Sequence, residues 1–112
     1  MELSTTDSGD TRVVQVIDNR IDAAVAIQFK DAMRAKTDGG PERVVLDLSQ
    51  VSFIDSSGLG AVVAAKKLLH GNHVLELAGL TPVVAKVFKL TRMDSVFTIH
   101  PDLAAAVPAL AS

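Results

Sequence analysis

Several segments of the chain have the composition and length of β-strands. The most regular runs from Arg12 to Ile17, where four of six residues are β-branched. A weaker strand at about residues 2–6 precedes it across a turn at residues 8–10, and we expect this strand at the edge of a sheet. Three more strands are predicted at "RVVLDLS" (43–49), "HVLELAG" (73–79) and "SVFTIH" (95–100). The first of these is mostly apolar, which is typical of a central strand buried on both faces.

Between these strands, apolar residues recur at helical spacing. Val25, Phe29 and Met33 stand four residues apart and predict a helix with Asp22 as its N-cap and an end at Gly39-Gly40-Pro41. The segment "GLGAVVAAKKLLHG" (58–71) predicts a second helix that packs on the sheet and ends at Gly71.

Two more helices are predicted in the second half of the chain. The third begins with Thr81 as N-cap and Pro82 at the first helical position. The fourth is the Ala-rich segment 101–112, which Pro108 should kink or end. Strands that alternate with helices predict an α/β fold with parallel pairing, to which the first hairpin adds an antiparallel edge. Without a repeat or a linker, residues 1–112 are expected to form one domain.

One short polar stretch interrupts this hydrophobic pattern. Asp55-Ser56-Ser57-Gly58 comes directly after the apolar residues 51–54 and directly before the second helix, at the carboxyl end of the sheet. Two hydroxyls beside a carboxylate are compatible with a helix cap, a catalytic nucleophile or a site of phosphorylation. A cap needs only one side chain, and glycines at 58 and 60 each cost a helix roughly 1 kcal/mol relative to alanine. The local pattern therefore favours a surface that a partner approaches.

Composition and charge exclude several classes of function. The net charge is −2, without a basic stripe for nucleic acid, and only 4% of residues are aromatic. There is no cysteine, no apolar run near the ~20 residues that cross a bilayer, and no signal sequence at the N-terminus. We therefore expect a cytoplasmic protein that binds neither nucleic acid nor a membrane.

Enzymatic and cofactor-binding hypotheses have little support in the sequence. A serine hydrolase would use Ser56 or Ser57, but the G-x-S-x-G elbow is absent and no histidine is near them in sequence. Gly58-Leu59-Gly60 lacks the third glycine of a dinucleotide fingerprint, and the carboxylates are not spaced as metal ligands. The sequence predicts no catalytic residue, no cofactor and no metal.

The stretch "VVLDLSQVSFIDSSGLGAVV" (44–63) closely resembles the core of the anti-sigma-factor antagonists, the stand-alone STAS domains. The resemblance continues through "RIDAAVA" before it and "ELAGLTPVVAKVFKLTRMDSVFTI" after it, and it covers residues 12 to 107. It implies a STAS-type α/β fold with a single mixed sheet of about four to five strands and four helices. It also implies a bacterial regulator of transcription that catalyses no reaction.

The resemblance implies that Ser56 is the phosphoacceptor of a partner switch. In that family, the unphosphorylated antagonist binds an anti-sigma factor that is itself a serine kinase, and phosphorylation releases it. A PP2C-type phosphatase then resets the switch. The residues expected to contribute to partner binding are Asp55, Ser57, Gly58, Leu59 and Asp22.

Two positions depart from the family pattern. Asn19 stands where many members have glycine, although asparagine tolerates a left-handed backbone. Thr91-Arg92-Met93 replaces a T-G-L segment, which removes a glycine and adds a charge near the expected docking face. These departures bear on the identity of the partner.

One alternative keeps the fold and drops the phosphate. Stand-alone STAS domains also act as accessory subunits of lipid-transport ABC complexes, and the intact "DSSGLG" motif argues against that role only in part. The chain is expected to be a monomer or a weak homodimer, in which the first strand and the terminal helix are the candidate contacts.

Overall fold

The structure is a computed structural model that describes residues 1–69 and 73–110. Within those residues the chain forms seven strands and four α-helices. The strands are β1 (Leu3–Ser8), β2 (Thr11–Val16), β3 (Arg20–Ile21), β4 (Arg43–Asp47), β5 (Phe53–Ile54), β6 (Val74–Ala78) and β7 (Ile99–His100). The helices are α1 (Ala26–Thr37), α2 (Ser56–Leu68), α3 (Pro82–Leu90) and α4 (Leu103–Ala106), with short 3₁₀ helices at Met93–Ser95 and Pro108–Leu110.

Five of the strands form one mixed sheet in the order β1-β2-β4-β6-β7. β1 pairs antiparallel with β2, and the other neighbours pair in parallel. The two-residue strands β3 and β5 form a separate parallel pair beside it. The prediction of an α/β fold with a mixed sheet of four to five strands and four helices is therefore confirmed.

The two faces of the sheet differ because side chains alternate along each strand. On one face, alternate residues of β2, β4 and β6 pack against apolar side chains of α1, α2 and α3 and form the main core. Phe29 and Phe88 are the largest of its fully buried side chains. Burial of each such side chain contributes about 1.5–3 kcal/mol. On the other face, a smaller cluster that includes Val13 and Val45 packs against Ala106 and Val107 at the end of α4.

Several predicted boundaries were wrong, each for a local reason. The first strand runs from Leu3 to Ser8, longer than predicted, because Gly9 takes a positive φ of 58° and makes a tight turn directly after it. The last predicted strand is reduced to β7, since the chain before it turns through a 3₁₀ helix. Pro108 does end α4 as predicted, whereas Gly71 lies outside the described residues.

Asp22 is not the N-cap of α1, contrary to the prediction. The N-cap is Val25, and the helix begins at Ala26. The carboxylate of Asp22 accepts a hydrogen bond from the Ala24 N–H at 3.1 Å, and the Asp22 carbonyl accepts one from the Val25 N–H at 3.1 Å. Asp22 therefore closes a turn before the helix, because its short side chain bonds to the backbone two residues on.

The two departures from the family pattern behave differently. Arg92 is the only described non-glycine residue with a positive φ, 61°, so Asn19 does not use the left-handed backbone that we expected of it. Arg92 holds that conformation at the position where many family members have glycine. For any residue other than glycine, the left-handed backbone conformation costs about 1–2 kcal/mol.

Candidate functional site

The polar tetrapeptide lies at the first turn of α2, and Asp55 is the N-cap of that helix. Its Oδ1 accepts a hydrogen bond from the Gly58 N–H at 2.8 Å, and its carbonyl accepts one from the Leu59 N–H at 2.8 Å. Asp55 thus satisfies one of the unpaired N–H groups that every helix start carries. The capping function is performed by the carboxylate and by neither serine.

The same carboxylate fastens a second segment to the start of α2. Its Oδ2 accepts a hydrogen bond from the Ala23 N–H at 3.1 Å, and the Asp55 N–H donates to the Ile21 carbonyl at 3.4 Å. Asp22 lies beside this contact, with its side chain only 15% exposed and 3.4 Å from the Arg20 guanidinium. Asp55 therefore holds the turn before α1 against the first turn of α2, and Asp22 closes that turn.

Gly58 is required for this packing, whereas Gly60 is not. A Cβ at Gly58 would collide with the carbonyl oxygen of Ile21 and would lie 2.6 Å from its carbonyl carbon. Helix α2 therefore approaches β3 more closely than any residue with a side chain would permit. A Cβ at Gly60 would meet nothing within 4 Å, and Gly60 is exposed. Only the second of these glycines presents its surface to an approaching partner.

Both serine side chains are exposed, and neither forms a hydrogen bond that holds the fold. Ser56 and Ser57 occupy the first two positions of α2. Within residues 1–69 and 73–110, their hydroxyl groups form no hydrogen bond. The partial positive charge of a helix N-terminus surrounds them, and such a position stabilises a negative group. The site therefore offers two free hydroxyls in a setting where a phosphate is tolerated.

Exposed apolar residues lie near the carboxyl ends of the strands, on the elements that begin or end there. Phe53 in β5 is 48% exposed and Val83 in the first turn of α3 is 56% exposed. The Thr81 hydroxyl donates to the Val51 carbonyl at 2.7 Å and joins the start of α3 to the loop before β5. Ile27 occupies the first turn of α1 and is also exposed. We call Phe53, Ile27 and Val83 the apolar rim.

The apolar rim was not predicted from the sequence. Apolar residues in a strand or at helical spacing are usually core residues, and no local signal separated these three from Val51 or Val84. In contrast, Leu59 was predicted to contribute to partner binding, and its side chain is only 8% exposed because it packs in the main core. Gly58 is buried as well, so in the free chain both residues support the site from below.

Unusual electrostatics in the described residues lie away from the serines. The Arg43 guanidinium, 2.7 Å from Glu76, lowers the pKa of that carboxyl, and a hydrogen bond from His100 acts in the same direction while burial opposes both. A bond from Arg12 lowers the pKa of Asp7. A cavity of about 380 Å³ is lined by residues at the C-terminal ends of α1 and α2, the helix ends opposite to the serines.

Among the described residues there is neither a cluster of metal-ligand side chains nor a membrane-spanning helix. No three histidine or carboxylate side chains in that part of the chain lie close enough together to hold a metal ion. Likewise, no helix formed by those residues has the length and apolar content needed to cross a membrane.

Comparisons with known proteins identify relatives over nearly the whole chain. The STAS domain family model matches residues 3–106. BtrV of Bordetella bronchiseptica, named as an anti-sigma factor antagonist, is 33% identical over 106 residues, which are 94% of this chain and 91% of that protein. The anti-sigma-B factor antagonist of Listeria monocytogenes is 35% identical over 82 residues, which are 70% of each chain.

Solved structures agree with the sequence relatives. The crystal structure of an anti-sigma factor antagonist from Mycobacterium paratuberculosis has a TM-score of 0.84 at 27% identity and covers 99% of this chain and 94% of its own. The structure of the Bacillus protein SpoIIAA in its phosphorylated form has a TM-score of 0.67 at 18% identity, with 97% of this chain covered and 99% of the other. The second likeness concerns the fold alone.

Proposed function

The chain belongs to the STAS domain family, and we propose that it is an anti-sigma factor antagonist controlled by phosphorylation of Ser56. In this proposal it binds a serine-kinase anti-sigma factor and thereby frees a sigma factor. Phosphorylation of Ser56 by the same kinase ends the interaction, and a PP2C-type phosphatase restores it. The chain acts in the bacterial cytoplasm as a substrate and a binding partner, and it catalyses nothing itself.

One observation carries this proposal. Asp55 caps α2 with its own carboxylate, so the Ser56 hydroxyl is exposed and has no hydrogen-bond partner among the described residues. A kinase can therefore reach the hydroxyl without breaking any contact that holds the helix. A serine that capped the helix would have to give up a bond worth about 1 kcal/mol before it could react.

The surface around Ser56 fits a protein partner. The apolar rim supplies contact area that loses contact with water on binding, and each Å² of apolar surface buried contributes roughly 25 cal/mol. Ser57 and Gly60 are exposed beside the acceptor serine, and nothing overhangs Gly60. In the proposed complex, Ser57 and the rim contact the kinase. Asp55, Asp22, Gly58 and Leu59 keep that surface in shape.

Phosphorylation would change this surface without unfolding it. A phosphate adds about −1.5 to −2 charge, next to the Asp55 carboxylate. The N-terminus of α2 offsets part of that charge, because the first N–H groups of a helix have no partner within the helix and carry a partial positive charge. The fold persists while the docking surface acquires a charge that an apolar contact area does not accommodate. A loss of about 2.8 kcal/mol at the interface already weakens binding a hundredfold.

Phosphate mapping with the cognate kinase tests the proposal. The wild-type chain and the matched variants Ser56→Ala and Ser57→Ala are incubated with the kinase and ATP, followed by intact-mass measurement and peptide mapping. We expect one phosphate on the wild type and on Ser57→Ala, and none on Ser56→Ala. Phosphate on Ser57 alone, or a bare wild-type chain beside a kinase that phosphorylates other substrates, would contradict the assignment. A bare chain that co-purifies with an ATPase would favour the accessory-subunit alternative.

A further inference from the structure

Strand β1 leaves one edge of the five-stranded sheet open. It pairs with β2 through an unbroken six-residue register, and no other described strand pairs with its far side. Proteins commonly block such an edge with lysine, proline or a bulge, and β1 has none of these. Its one charged residue, Asp7, is neutralised by Arg12 at 2.7 Å. The edge is therefore a free template for another strand.

The hydrogen-bonding pattern shows which residues face this edge. The Ile17 N–H donates to the Glu2 carbonyl at 3.0 Å, so these two residues form a hydrogen-bonded pair. In an antiparallel ladder such pairs recur at every second residue, and the even-numbered residues of β1 therefore bond to β2. The odd-numbered residues, Leu3, Thr5 and Asp7, direct their N–H and C=O groups outward.

We propose that a second copy of this chain occupies the edge, with the two β1 strands antiparallel and Thr5 of one copy opposite Thr5 of the other. Ladder hydrogen bonds can form only between odd-numbered residues of both strands. This register alone uses all of them, since Leu3 of each copy then faces Asp7 of the other. It forms about six backbone hydrogen bonds, two for each pair. The result is a continuous ten-stranded sheet, the sum of two five-stranded sheets.

The side chains that face each other in this register favour a second copy as the occupant. In this register no two like charges are opposite each other, which would be destabilising, and threonine faces threonine or serine, which are favourable cross-strand pairs. Two six-residue strands bury less than the roughly 1,200 Å² of a standard stable interface, so the dimer is weak and depends on concentration. Ser56 follows β5 in the separate strand pair, and the proposal is independent of its phosphorylation.

Single cysteine substitutions test the register of the β1 pairing directly, because the chain has no cysteine of its own. Thr5→Cys should form a disulfide-linked dimer under mild oxidation, since the Cα atoms of a hydrogen-bonded pair are about 5.5 Å apart. Thr6→Cys is the matched control. The rise per residue and the distance between strands place the Cα atoms of its two copies roughly 8 Å apart, which is too far for a disulfide. A mixture of Ser4→Cys and Thr6→Cys should link, since these positions are opposite each other at about 4.5 Å.

The wild-type chain should sediment as a concentration-dependent mixture of monomer and dimer. A chain that remains monomeric up to about 1 mM overturns the proposal, since no useful affinity would be left. The proposal also fails if Thr6→Cys links as fast as Thr5→Cys, because that result reports random collision.

Discussion

At the scale of single residues, the members of the tetrapeptide Asp55-Ser56-Ser57-Gly58 have different functions. Asp55 holds backbone groups of two segments, Gly58 permits a close approach, and Ser56 makes no contact that the fold needs. The sequence predicted a functional serine here, because one cap does not require three polar side chains. It did not reveal which of the three is the cap, since aspartate and serine are about equally good N-caps.

The two glycines of α2 give a matched pair of substitutions. Gly58→Ala should destabilise the protein by about 2 kcal/mol or more, because its Cβ meets the backbone of Ile21. Gly60→Ala should stabilise it by about 0.5–1 kcal/mol, because the methyl group meets only solvent and alanine favours the helix. Urea unfolding of both variants measures the difference. Equal stabilisation by both substitutions would show that α2 does not lie as close to β3 as described.

At the scale of elements, most strands and helices could be predicted, but the two-residue strands β3 and β5 could not. β4 and β6 are mostly apolar segments of five residues, and α3 has the Thr81-Pro82 start. β3 and β5 have two residues each, which is too short to show the alternation of apolar and polar residues that marks a strand. These two strands nevertheless place Asp55 at the start of α2, and their pairing depends on contacts between distant parts of the chain.

The turn after α3 contains a testable strain. Arg92 has a φ of 61°, a conformation that costs residues with a Cβ about 1–2 kcal/mol. Arg92→Gly should therefore raise the free energy of unfolding by about 1 kcal/mol, reduced from that range by the extra freedom of glycine in the unfolded chain. The control Arg92→Ala keeps the Cβ and removes the charge, so it should give no such gain. If both variants are stabilised alike, the charge of Arg92 and not its backbone is the cause.

At the scale of the whole molecule, the sheet topology brings segments that are distant in sequence together at the carboxyl ends of the strands. The turn at residues 22–25, the end of β5 and the starts of α2 and α3 meet there through the bonds of Asp55 and Thr81. The alternation of strands and helices predicted this convergence in outline. The exposure of the apolar rim could not be predicted, because it depends on which core positions remain uncovered after the helices have packed.

In the proposed switch, Asp55 maintains the start of α2 while Ser56 remains available to a kinase. The most direct measurement compares the free energies of unfolding of Asp55→Ala and Ser56→Ala with that of the wild type. We predict a loss of about 1–2 kcal/mol for Asp55→Ala, as for the removal of an N-cap, and a change within about 0.5 kcal/mol for Ser56→Ala. A loss for Ser56→Ala as large as that for Asp55→Ala would contradict the account, because the serine would then be part of the fold.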